Sequence, residues 1–181
     1  MPDMVTMGKP MGNGFPIAAL VTRRSLAASL VSREGVFFST FGGSPAAVAA
    51  AHVVLDVLED GRVLPRVVAT GAALRAAIAS AVLPRFCRTV VDVRGVGLAT
   101  GIEVRGAGGG ARGEKSESGA AACGRLRDGL RARGVLVGTC GRAGDVLKVR
   151  PPLAFDLAHV PVFVAALVGT LEEMEASLVA V

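Results

Sequence analysis

From about residue 85 to the C-terminus, short runs of β-branched residues alternate with helical stretches, and this rhythm restricts the chain more than any other feature. Val90, Val91 and Val93, then Val96 to Val104 with interleaved glycines, predict a strand, a glycine turn and a second strand. Helix, strand, strand and helix are expected at about 119–133, 135–139, 146–150 and 157–179. Pro161 leaves the start of the last helix anywhere between Leu157 and Pro161. Strands in alternation with helices argue an α/β or α+β domain. The upstream half reads differently. Residues 1–16 are punctuated by Gly and Pro and predict a loop, Ile17 to Val21 a short buried strand, Arg24 to Val31 a helix, and Val36 to Phe38 another strand. Ser44-Pro45 predicts an N-cap followed by the first helical position. The helix behind it is rich in small residues, Gly61 ends or bends it, and a second helix is expected from about Arg62 to Val82.

A chain of 181 residues is one or at most two domains, and 51% hydrophobic composition excludes intrinsic disorder. No run reaches the roughly eighteen uninterrupted apolar residues of a spanning helix, so no membrane association is expected. Cys87, Cys123 and Cys140 form no CxxC pair, which points to a reduced, intracellular setting, and no signal-peptide pattern is visible. The formal charge is +5, carried mostly by arginines spread along the chain. The densest group, Arg125, Arg127, Arg131 and Arg133, has no interleaved aromatics and reads as a solvated helix face rather than a nucleic-acid surface.

Most short motifs fail on inspection. Gly8-Lys9 lacks the upstream glycine and the following Ser/Thr of a phosphate loop. Gly108, Gly110 and Gly113 match a dinucleotide fingerprint only formally, inside a glycine-rich tract expected to be surface loop. His52 and His159 stand far apart without a nearby acid or Cys pattern, so neither a metal site nor a catalytic triad is expected. Core packing suits His52 and solvent suits His159. Lys9 is one of only three lysines, with Lys115 and Lys148. Its spacing alone favours an ordinary exposed loop lysine. The other reading is an amine held near a cavity by the tight Gly-flanked turn, suited to imine formation with an aldehyde if burial or neighbouring charge frees it. Thr40, with Gly42 and Gly43 before the helix at Pro45, reads either as a plain strand-to-helix turn or as a phosphate cradle.

Four segments taken together resemble the class-III pyridoxal-phosphate aminotransferases, of fold type I. They are Pro2 to Pro16 (Pro-Asp-Met-Val-Thr-Met-Gly-Lys-Pro-Met-Gly-Asn-Gly-Phe-Pro), Phe38 to Pro45 (Phe-Ser-Thr-Phe-Gly-Gly-Ser-Pro), Asp92 to Leu98 (Asp-Val-Arg-Gly-Val-Gly-Leu) and Leu147 to Leu153 (Leu-Lys-Val-Arg-Pro-Pro-Leu). Their order and spacing match as well, so the resemblance covers nearly the whole chain. The first segment is most similar to the branch holding alanine–glyoxylate aminotransferase 2 and the ethanolamine-phosphate and phosphohydroxylysine phospho-lyases.

The resemblance implies an α/β fold, with residues 1–84 as the end of the cofactor-binding large domain and its interdomain helix. Residues 85–181 would be the small α+β C-terminal domain. It implies pyridoxal 5′-phosphate as cofactor, Lys9 as the Schiff-base lysine that also shuttles protons at the substrate α-carbon, and Thr40 as a ligand of the cofactor phosphate across a homodimer interface. Asp92 to Gly97 would be the structural entry to the small domain. Small-molecule amine and 2-oxo acid substrates and a mitochondrial setting are implied in the same way.

Two departures shape the functional expectation. Most transaminases of the class carry Arg where Lys148 stands, and lysine there is similar to the phospho-lyase branch. A complete member is also much longer. The Gly-Ser phosphate loop, the ring-stacking aromatic and the aspartate that pairs with the pyridine nitrogen are absent from this sequence, Asp3 being too close to Lys9 to be that aspartate. The chain therefore reads as the C-terminal part of such an enzyme, and turnover by it alone is not expected. The parent activity is expected to be amino transfer, with phospho-lyase activity as the alternative and a non-catalytic dimerisation or regulatory remnant as the reading from another class.

Overall fold

The computed structural model describes residues 1–35, 37–106 and 117–179. The chain divides into two compact units, Met1–Val63 and Leu64–Val181.

The first unit opens with β1 (Met4–Met7) and β2 (Ala19–Thr22), paired antiparallel from Met4–Thr22 to Met7–Ala19. The Thr22 hydroxyl donates to the Asp3 carbonyl at 3.0 Å and Arg23 pairs with the Asp3 carboxylate at 2.8 Å, tying off the open end of this ribbon. Two helices follow, α1 (Arg24–Glu34) and α2 (Pro45–Glu59). Pro45 occupies the first turn of α2 and Ser44 its cap, as the sequence predicts, but the Ser44 hydroxyl makes no capping bond. Gly61, at φ 75°, follows the end of α2.

Two expectations fail in this unit. The strand predicted to be buried is exposed, with Leu20 and Val21 both more than half accessible, because a two-stranded ribbon has no second layer to cover it. Residues 37–39 form no strand, and Val36 lies outside the described residues.

In the second unit the long helix α3 (Val63–Val82) leads to β3 (Val90–Val96) and β4 (Ala99–Val104). Then come α4 (Gly119–Ala132), β5 (Gly138–Cys140), β6 (Val146–Val149) and α5 (Val160–Val179), the last entered through a short 3-10 turn at Leu157–His159. The four strands form one antiparallel sheet in the order β3-β4-β6-β5. Ile102 pairs with Leu147 and Thr100 with Val149, and all four side chains are buried. These alternate positions therefore share the covered face of the sheet. They join one apolar cluster with Leu74, Ile78 and Val82 of α3, Leu126 and Leu130 of α4, and Phe163, Leu167 and Leu171 of α5. The sequence places the domain boundary at residue 84. In the structure the compact division falls at the start of α3, whose apolar side is part of the sheet's core.

The β3–β4 turn is locked onto α3. A Cβ on Gly71 would lie 1.9 Å from the Gly97 carbonyl oxygen, so only glycine admits this approach. Arg75, one turn along α3, donates to the same carbonyl at 2.6 Å. Gly97 itself is left-handed, at φ 53°. The Asp92 to Leu98 segment is thus the end of β3 and the docked turn of the β3–β4 hairpin.

Helix α3 and residues Leu157–Ser177 have the length and mean hydropathy to cross a membrane, although polar residues interrupt the apolar run of each. Each turns one side into the core of the sheet, as helices of an α/β layer do. The Gly108–Gly113 fingerprint lies outside the described residues.

Candidate functional site

The glycine-rich run after β1 builds a tight reversal. Gly8 is extended, and Lys9 then enters the left-handed region at φ 50° and starts a 3-10 turn over Lys9–Gly12. Asn13, at φ 47°, closes it by donating its N–H to the Pro10 carbonyl at 3.1 Å. The Phe15 N–H reaches the Gly12 carbonyl at 3.0 Å, and the chain returns into β2. Gly12 is buried, and a Cβ there would come within 2.9 Å of the Ile17 side chain. Lys9 and Asn13 are the two non-glycine residues with positive φ among the described residues, and they bracket a single turn. A left-handed non-glycine costs on the order of 1–3 kcal/mol and persists where the surroundings over-determine it. Asn13 is a residue that sequence reasoning missed, although Asn-Gly is a turn signal in its own right.

The tight turn expected at Lys9 is present, whereas its side chain is exposed and has no ion-pair partner among the described residues. That exposure is that of the ordinary loop lysine which the spacing favours, not of an amine held in a cavity.

Thr40 lies in a stretch of consecutive turns. The Gly42 N–H donates to the Ser39 carbonyl at 3.2 Å, the Ser44 N–H to the Phe41 carbonyl at 3.4 Å, and Gly43 is left-handed at φ 71°. Thr40 is exposed among Phe37, Phe38 and Phe41, which are 72%, 83% and 87% accessible. Directly behind it α2 begins without a side-chain cap. Ala46 and Ala47, in the first helical turn, carry N–H groups with no intrahelical acceptor. A hydroxyl beside such a turn suits an anion. The Lys9 turn packs against α2, so the structure brings the lysine turn and the helix that follows Thr40 into one unit. The amine and the hydroxyl are groups of the kind an aldehyde and a phosphate could meet, each on an exposed turn of the same unit.

Lys148 stands on β6 in the second unit, on the sheet face opposite the core. Its cross-strand neighbours are Gly101 on β4 and Gly138 on β5. Its side chain leans over Gly138, where a Cβ would sit 3.1 Å from Lys148 Cε. On the same face Arg94 is already held by Asp92 and Glu103, at 2.7 and 2.6 Å.

The two histidines divide. His52, expected in a core, is exposed on α2, because that helix buries little beyond Ala47. His159 is exposed as expected, and it closes a capping box with Asp156 at the entry to α5.

Known proteins share this fold. The fold is that of part of the pyridoxal-phosphate enzymes. The described structure is similar to a phospholyase from Arthrobacter in complex with phosphoethanolamine, at 33% identity and a TM-score of 0.81, covering 95% of this chain and 39% of that one. It is also similar to a transaminase solved with L-alanine, at 26% identity and a TM-score of 0.80, covering 98% of this chain and 42% of that one. The aminotransferase class-III family model matches residues 1–171, and the chain belongs to that pyridoxal-phosphate-dependent family. Among curated relatives, it is 36% identical over 92% of its length to ethanolamine-phosphate phospho-lyase homolog 1 of Caenorhabditis elegans. It is 32% identical over 96% of its length to mitochondrial alanine–glyoxylate aminotransferase 2 homolog 2 of Arabidopsis thaliana. The chain spans 34% and 35% of those two relatives.

Proposed function

We propose that this chain forms part of a pyridoxal-phosphate-dependent aminotransferase acting on a small amine and a 2-oxo acid, with Lys9 as its catalytic residue. The observation that carries this is the left-handed turn at Lys9, which presents an exposed amine at the start of a glycine-tightened reversal in a chain of the class-III aminotransferase family. When bound, pyridoxal phosphate supplies an electron-withdrawing ring that stabilises negative charge at the substrate α-carbon. Lys9 holds the cofactor through its ε-amine and then moves the proton at that α-carbon. Thr40 binds the phosphate of the cofactor carried by a second copy, so the working assembly is a homodimer in an intracellular compartment. The first unit, Met1–Val63, serves cofactor binding, and the second, from Leu64 onward, contains the small domain.

One observation supports a second reading, phospho-lyase action on a phosphorylated amine. Lys148 sits between two glycines, half-buried and with no ion-pair partner among the described residues, so its ammonium could meet an anion. Both the Arthrobacter structure and the Caenorhabditis elegans relative carry that activity in their names.

The test joins this chain to the upstream segment of the Arthrobacter phospholyase, adds pyridoxal phosphate and reduces with borohydride. The cofactor mass is expected on the Lys9 peptide and not in Lys9→Ala. A label on Lys148 or Lys115 instead would overturn the assignment. Amino transfer to a 2-oxo acid, against phosphate release from phosphoethanolamine, separates the two activities in the same preparation.

A further inference from the structure

We draw no further inference here: the strongest candidate, the apolar groove between α3 and α5 lined by Ala73, Ala77, Val160, Pro161, Val164 and Val168, carries nothing because no feature of the structure shows what covers it.

Discussion

At Lys9 the backbone and the side chain make opposite demands. The left-handed turn suits glycine, yet the proposed chemistry needs an amine at that position. Replacing Lys9 by Ala removes the amine but keeps the Cβ strain, while Lys9→Gly removes both. Lys9→Gly is therefore expected to be more stable than Lys9→Ala by about 1 kcal/mol, read from urea denaturation midpoints, with neither variant trapping cofactor. Equal midpoints would show that the turn stores no strain. Cys123 makes a second residue-scale prediction. Burial within α4, reinforced by the Asp145 charge, pushes its thiol up to about 11. Cys87 and Cys140 are exposed. A thiol reagent at pH 8 should label those two in the native protein and reach Cys123 only in denaturant. A folded-state value above the unfolded one contributes stability at neutral pH that is lost as pH rises through about 9 to 11. A melting temperature that climbs across that window would contradict the burial.

At the scale of elements, the contact between α3 and the β3–β4 turn holds a helix and a hairpin together. Gly71 admits the Gly97 carbonyl, and Arg75 fixes it with a hydrogen bond. Gly71→Ala must push backbone against backbone, and a loss of about 1–3 kcal/mol is expected. Gly124, in the interior of α4, has nothing beyond its own helix within 4 Å of where its Cβ would be, among the described residues. Gly124→Ala should gain about 0.5–1 kcal/mol from helix propensity alone. The pair is measured together by thermal unfolding. The same sign for both would mean that glycine content, rather than the docking contact, decides stability here.

For the molecule as a whole, the two units differ in how they bury apolar surface. The second has a continuous core across one sheet and three helices. In the first, Met4, Leu20, Val21, Phe37, Phe38, Phe41, Val53 and Val57 are all exposed. The exposed apolar side chains of the first unit thus contrast with the continuous core of the second. A mixing experiment on the completed enzyme tests whether Thr40 serves the neighbouring copy. Thr40→Ala alone should weaken cofactor affinity roughly ten- to a hundredfold, the value of a charge-assisted hydrogen bond. Mixed dimers of Lys9→Ala with Thr40→Ala copies then distinguish the arrangements. If Thr40 acts across the interface, one site in each mixed dimer keeps both groups and binds with full affinity. If it acts within its own copy, no site does.

Much of this architecture is legible in the sequence because its signals are local. Ser44-Pro45 marks the start of α2, Gly61 its end, and the valine runs around Gly97 the β3–β4 hairpin, each through backbone preferences of a few neighbouring residues. The lysine turn is legible for the same reason, since Gly-Lys-Pro-Met-Gly-Asn-Gly allows few conformations. Burial is not. Ile17 to Val21 and His52 are expected inside and are accessible or only part-buried, whereas α3, expected at the end of the first domain, lines the core of the second unit. An apolar run specifies that a segment can be covered. What covers it depends on distant segments arriving beside it, and only the tertiary structure decides that.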